Sequence, residues 1–340
     1  MKNQKTSPKE LMEQTDLGNV TMTTQQNYSV DTCASNATPE QVLSETTKML
    51  GKSPLNLKTE IVKDIIVCKD NVEYLKTLPD GSIDIVVTSP PYDGLRNYNG
   101  YTMNLHSVGE QLYRVLKPGG IAAVVIQDST LDGHKTLTSF RMIVDWCDDI
   151  GFGLFENCIY RRQGVEGAWW TKRFRVDHEY LPIFIKGKRP AYFNKETLKI
   201  PSKHGGKTMT GAAVRKKDGT QEKSRQVYIN PMKCRGTVWD YNQCGDGSKL
   251  KHMHPATFPN TLPLDIIECF CPVGGIVLDP FVGSGTTCVA AKSTNRHYIG
   301  IDVSNEYCDI AKKRLETENI KRNNTGVTTE KSVKFLDFGN

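Results

Sequence analysis

Apolar and polar residues begin to alternate in a structured way only near residue 61. Before that, residues 1 to about 55 are rich in Ser, Thr, Asn and Gln and carry no helical or strand period beyond a short stretch around Gln41 to Leu50. Such a composition predicts a disordered extension. From Ile61 to Val67 the chain reads as a strand ending at Asp70, followed by a short helix through Val72, Leu75 and Leu78. Pro79-Asp80-Gly81-Ser82 predicts a turn, and the β-branched run Ile83 to Val87 predicts a buried strand. A helix with Val108, Leu112 and Val115 at helical spacing comes next, stopped by Lys117-Pro118-Gly119-Gly120. Ile121 to Ile126 reads as a strand, Phe140, Ile143, Val144 and Cys147 mark a helix, and Leu154 to Tyr160 and Tyr180 to Ile185 read as paired strands. Pro182 predicts an edge position or an irregularity for the second of these.

Regular patterning fades from Lys186 to about Met253, where Lys, Arg, Gly and polar residues accumulate. It returns with a helix carrying Leu262, Leu264, Ile266 and Ile267, a strand Ile276 to Asp279, a helix from Thr287, a strand Tyr298 to Ile301 and a last helix, Tyr307 to Leu315. Strands that alternate with helices predict an α/β fold with a largely parallel sheet. The expected organisation is a polar extension (1–55), a first part of the sheet domain (56–189), a basic segment separate from the sheet (190–253), a second part of the sheet domain (254–317) and a polar tail (318–340).

Composition sharpens this picture at one place. The 340 residues carry a net charge of +6, yet residues 161–255 alone hold 21 Lys and Arg against 8 Asp and Glu, which leaves the remainder net acidic. A segment so biased is suited to a polyanion. No run approaches the length of a membrane span and the polar N-terminus lacks the apolar core of a signal peptide, so a soluble, cytoplasmic protein is expected. The ten cysteines show no Cys-x-x-Cys spacing, which predicts reduced, mostly buried thiols and no metal site.

Two short motifs carry candidate chemistry. Thr88-Ser89-Pro90-Pro91-Tyr92 follows the buried strand directly. Two prolines withhold amide donors and leave carbonyl oxygens and the Ser89 hydroxyl as a rigid row of acceptors, with an aromatic ring beside them. That set suits a planar substrate bearing an exocyclic amino group, such as an extruded base. Asp279-Pro280-Phe281-Val282-Gly283-Ser284-Gly285-Thr286 links a strand to a helix, and Asp302 stands at the end of the next strand, 17 residues after Gly285. Glycines allow a close backbone approach and a strand-end acid can accept ribose hydroxyls, which points to an adenosine cofactor. A Walker-type Gly-Lys-Ser/Thr is absent, which disfavours a triphosphate.

The second motif resembles the S-adenosylmethionine motif of amino-methylating DNA methyltransferases, and the first resembles their catalytic motif. The order here, with catalytic motif first, basic segment second and cofactor motif last, is similar to the permuted group called β. His254-Pro255-Ala256-Thr257-Phe258-Pro259 resembles the family segment lining the methionine end of the cofactor. This resemblance implies a Rossmann-like, circularly permuted, seven-stranded mixed sheet, six strands parallel and one antiparallel, with an inserted target-recognition segment. It implies S-adenosyl-L-methionine held by Asp279, Pro280, Phe281, Gly283, Gly285, Thr286, Asp302, Phe258, Pro259 and Asp70. Asp70 reads equally as a helix cap.

Ser89, Pro90, Pro91 and Tyr92 are then the expected catalytic residues, and Arg215, Lys216, Lys217 and Arg235 the expected DNA contacts. Cytosine C5 chemistry needs a cysteine nucleophile, usually in Pro-Cys, and no Pro-Cys occurs. Serine at the first motif position resembles enzymes acting on cytosine N4, with adenine N6 the alternative target and a catalytically silent DNA-binding protein the alternative of another class. Double-stranded DNA is the expected partner, in a prokaryotic or phage restriction-modification setting with a companion endonuclease, the chain being a monomer or homodimer.

Overall fold

The computed structural model describes residues 61–91, 104–163, 174, 176–213, 215–221, 224–242 and 258–320. Tyr92, residues 254–257, the N-terminal extension and most of the C-terminal tail lie outside these residues. Eight strands form one sheet: β1 (Ile65–Cys68), β2 (Ile83–Thr88), β3 (Leu116–Val124), β4 (Gly153–Gln163), β5 (His178–Ile185), β6 (Val238–Asn242), β7 (Ile276–Asp279) and β8 (His297–Asp302). Their spatial order is β1-β8-β7-β2-β3-β5-β4-β6. β5 runs antiparallel to both of its neighbours, and every other pairing in the sheet is parallel. The expected mixed sheet is present with one strand more than the seven predicted.

Parallel strands are covered on both faces, so their sequences show apolar runs rather than alternation. β2 illustrates the rule, with Ile85, Val86 and Val87 all 0% exposed. Ile85 and Val87 point into one core with Ile121, Ala123 and Val277, beneath Leu262, Ile266 and Ala290 of helices α4 (Thr261–Phe270) and α5 (Thr286–Ser293). Val86 points into the other with Ala122, Val124, Leu278 and Ile299. That second face is covered by α1 (Asn71–Leu75), α2 (Leu105–Val115) and α3 (Thr138–Asp145), through residues such as Leu75, Leu112 and Met142. The last helix, α6 (Asn305–Thr317), is started by Ser304, whose hydroxyl accepts from the Tyr307 N–H.

Three expectations need correction. Val238–Asn242 lies inside the segment expected to stand apart from the sheet, yet it pairs in parallel with β4 as an outer strand. Trp239 and Tyr241 are 5% and 3% exposed whereas Val238 is 52% exposed, the alternation of a half-buried edge strand. Of the two positions expected for Pro182, the irregularity is the one observed, because β5 sits between β3 and β4. Its missing donor falls where the ladder to β3 opens, between Ala123↔Ile183 and the isolated Ile126↔Tyr180 bridge. The strand predicted from Ile61 starts only at Ile65, since Asp64 takes a positive φ of 59° while its carboxylate accepts from the Tyr298 N–H. In α3, Phe140 and Val144 face outward, and Ser139 and Met142 face the core.

Among the described residues no helix is long and apolar enough to cross a membrane. The eight described cysteines are free, and five of them are buried. Burial pushes the Cys158, Cys269 and Cys271 thiols up to about 12.

Candidate active site

In an open α/β sheet the ligand crevice opens beyond the carboxyl ends of the strands where the order reverses. Here the chain winds outward from β2 to β3 on one side and from β7 to β8 on the other, so the reversal lies between the adjacent strands β2 and β7. The two sequence motifs are the loops that leave these two strands. Val277 pairs with Ile85 and Leu278 with Val86, which sets Thr88 beside Asp279 at the crevice. The Thr88 hydroxyl donates to Asp279 Oδ1 at 2.6 Å, a bond across 191 residues of sequence. Below it, Thr287 Oγ1 donates to the Val87 carbonyl at 3.2 Å. At the opposite end of the strands, Asp84 accepts from the Ile276 N–H (2.8 Å) and from Lys117 Nζ (2.7 Å), so β2 and β7 are fastened at both ends.

Asp279 is 2% exposed. Burial pushes its carboxyl up to about 6, against the opposing pull of hydrogen bonds from Thr88, Thr287 and the Phe281 N–H. Its carboxylate therefore serves as the joint between the two motifs. The glycine loop curls over this joint with Gly283 at φ 47° and Gly285 at φ 84°. A Cβ on Gly285 would stand 2.9 Å from Ala311 Cβ and 3.0 Å from Ala311 Cα, so the loop can lie against α6 only because this position is glycine. Asp302 receives the Gly283 N–H on one carboxylate oxygen (3.0 Å) and the Ser304 N–H on the other (2.9 Å). The carboxylate thus ties the glycine loop to the turn between β8 and α6.

Asp70 caps α1, accepting from the Glu73 N–H at 3.0 Å. Its two sequence neighbours meet the crevice: the Lys69 N–H donates to the Asp302 carbonyl (2.9 Å) and Asn71 Nδ2 to the Pro280 carbonyl (3.2 Å). Phe281 is half-buried against the core that holds Val86, and Phe258 packs against the core on the opposite face, next to the buried Pro259. Pro90 is buried, Ser89 and Pro91 are half-buried, and Tyr92 lies outside the described residues. The structure thus brings Ser89, Pro90, Asp279, Phe281, Gly283, Gly285 and Asp302 to one crevice.

The expected DNA contacts divide. Arg215, Lys216 and Lys217 are exposed and stand on a tight hairpin, with Arg215 bridged to Gln221, the Lys216 N–H donating to the Thr220 carbonyl and Gly219 at φ 87°. Arg235 is a correction. Its side chain is 5% exposed and paired at 2.9 Å with Asp265, itself 5% exposed, while its guanidinium lies 4.9 Å and 4.8 Å from the ring centres of Trp239 and Tyr241. Tyr241 Oη also donates to Asp265 Oδ2 (2.8 Å), so the arginine is a latch between the basic segment and α4 with no face for a phosphate. The same segment holds a cleft of about 540 Å³ whose lining includes Lys195, Lys199, Lys203, His204 and Lys233.

Sequence reasoning named Thr88 only as part of its motif, without the bond to Asp279, and missed Thr287 and Asp84 as parts of this region. Asp84, a polar residue inside an apolar run, carried the one visible signal.

An open sheet with a glycine loop and a polar strand-end loop facing each other at its switch point is the frame of a Rossmann-like group-transfer enzyme. The chain belongs to the DNA methylases of the N6/N4 type, whose family model matches residues 83–313, and it is a DNA methyltransferase. It is 38% identical over 245 residues to the orphan methyltransferase M.BamHII of Bacillus amyloliquefaciens, covering 71% of this chain and 91% of that protein. To the type II methyltransferase M.HpaI of Haemophilus parainfluenzae it is 30% identical over 264 residues, 74% of each chain. The PvuII cytosine-N4-specific DNA methyltransferase shares its fold, with a TM-score of 0.57 and 20% identity over 75% of this chain and 87% of that one. So does a Thermus thermophilus protein solved with S-adenosyl-L-methionine, at a TM-score of 0.51 and 23% identity over 74% of this chain and 92% of that one.

Proposed function

We propose that this enzyme moves a methyl group from S-adenosyl-L-methionine to the exocyclic N4 of a cytosine turned out of double-stranded DNA. The observation that carries the reading is the Thr88–Asp279 bond, which holds the Ser89-Pro90-Pro91 acceptors and the glycine loop at one crevice. The donor set fits the cofactor. The positive φ of Gly283 and Gly285 turns the loop backbone at the ends of the strands, and Asp302 is a strand-end acid of the kind that accepts ribose hydroxyls. Pro280, Phe281, Thr286, Phe258, Pro259 and Asp70 complete the proposed pocket, Asp70 through its placement between Lys69 and Asn71. Bound there, the cofactor supplies a methyl group on a sulfonium centre, and everything else is the work of the chain.

The amino nitrogen of cytosine is a poor nucleophile because its lone pair is delocalised into the ring. Accepting its N–H groups on the Ser89 hydroxyl and the Pro90 carbonyl favours the pyramidal amine and aims the lone pair across the crevice. Tyr92 is assigned the stacking face for the extruded base. Serine in the first motif position supports cytosine N4 over adenine N6. Methylation-aware sequencing of DNA from cells expressing the protein should reveal N4-methylcytosine at one short sequence. N6-methyladenine instead would replace the target base and leave the rest of the reading standing.

DNA is assigned to the basic segment, through the hairpin of Arg215, Lys216 and Lys217 together with the lysine-lined cleft. Exchanging those three hairpin residues for glutamate should weaken DNA binding and flatten its dependence on salt, because three phosphate contacts fewer release fewer counterions. Cofactor affinity should not change. A salt slope and DNA affinity equal to wild type would show the hairpin to be solvated surface.

A further inference from the structure

Arg314, in the last turn of α6, is 0% exposed, although it follows Lys312 and Lys313 in what reads as a solvated basic run. A guanidinium is retained in such a place only when its charge is paired and its donors are used. Here the charge is paired and all three nitrogens donate. Nε donates to Glu318 Oε2 at 2.9 Å, and Nη2 stands 2.9 Å from the same oxygen in the ion pair. Nη1 donates to the Ser284 carbonyl at 2.7 Å and to Thr286 Oγ1 at 2.9 Å, with Ser284 Oγ 3.2 Å away. Nη2 also meets Asn260 Oδ1 at 3.3 Å.

The acceptors define the role. Ser284 and Thr286 are the turn of the glycine loop, and Asn260 directly follows Phe258-Pro259 at the head of α4. We infer that Arg314 is a positioning residue for the cofactor: one planar fork fixes the glycine loop and the 258–260 segment at a set separation, so the two walls of the pocket stand in place before the ligand arrives. Buried and turned to these partners, Arg314 acts through the walls. Glu318, just past the end of α6, neutralises the charge. The inference rests on the proposal that these segments hold S-adenosylmethionine.

Arg314→Lys keeps the charge and the stem but replaces the fork with a point donor that cannot span both walls. The expected result is a dissociation constant for S-adenosylmethionine raised about tenfold or more by calorimetry. KM for the cofactor should rise with it, while kcat stays within a few-fold of wild type, as for lost uniform binding. Glu318→Gln should lower the melting temperature yet leave cofactor affinity near wild type, a separation that a merely structural arginine would not give. Asn260→Ala, which removes one wall's acceptor and leaves Arg314 in place, should weaken cofactor binding in the same direction and serves if Arg314→Lys does not fold. Asp302→Ala is the control for the pocket itself. Wild-type cofactor affinity in Asn260→Ala, and in Arg314→Lys wherever that variant folds, beside weakened affinity in Asp302→Ala would overturn the positioning role. Wild-type affinity in Asp302→Ala as well would overturn the assignment of the pocket instead.

Discussion

Replacing Ser89 by alanine is expected to slow methyl transfer about 10²- to 10³-fold, the scale of losing one preorganised hydrogen-bonding group at a transition state. Binding of cofactor and DNA should stay near wild type. The strand that presents Ser89 is fixed independently of its side chain: the Thr88 hydroxyl is held by Asp279 at 2.6 Å, the Thr88 carbonyl accepts from the Val125 N–H at 2.8 Å, and Pro90 is buried. The exchange therefore removes an acceptor at a strand end that Thr88 and Pro90 also hold. The Pro90 carbonyl remains, so residual activity above background is expected. Single-turnover transfer from labelled cofactor measures the step directly. A fully active variant would contradict the acceptor role, and a covalent adduct between Ser89 and DNA would end the direct-transfer mechanism.

The largest stability effect is expected at the Arg235 latch. Asp265→Leu leaves a guanidinium buried between Trp239 and Tyr241 with its anion gone, and uncompensated buried charges cost about 3–5 kcal/mol. Adding Arg235→Met and Tyr241→Phe removes the orphaned charge and the orphaned hydroxyl together, and should return most of the loss. Urea denaturation of the three forms supplies the comparison. A loss below about 1 kcal/mol in Asp265→Leu alone would mean that water reaches the pair and that β6 is held by its backbone ladder. The latch joins the basic segment to the helix that begins at the proposed cofactor wall, so the single variant should weaken DNA and cofactor binding together.

The motifs and the alternation of strand and helix were legible because they depend on local sequence: apolar β-branched runs before Ser89 and before Pro280, glycines where φ turns positive, and Asp302 at a strand end. What escaped needed a tertiary partner. In α3, positions 140, 143, 144 and 147 and positions 139, 142 and 146 both follow helical spacing, and the buried set is the one containing Ser139, whose N–H and hydroxyl donate to Asp128. Arg235 and Arg314 look like any other cations until Asp265 and Glu318 are brought against them. β6 was readable in principle, since Trp239 and Tyr241 alternate with Val238 and Asp240, but five residues of alternation were masked by the charges around them. The seven-strand expectation fell short by that one strand.

The placement of β7 and β8 between β1 and β2 also governs how the chain must come together. β1 pairs with β8, through Ile65↔Ile299 to Cys68↔Asp302, and one edge of β2 waits for β7. While the ribosome is still making the middle of the protein, β1 has no strand to join and β2 exposes an unpaired edge flanked by Ile85 and Val87. Closure of the sheet depends on contacts far apart in sequence, 191 residues for the Thr88–Asp279 bond, the kind that form slowly and leave sticky edges in the meantime. The crevice, with both of its loops, is therefore among the last features to form, and a nascent chain lacks it until β7 and β8 have been synthesised.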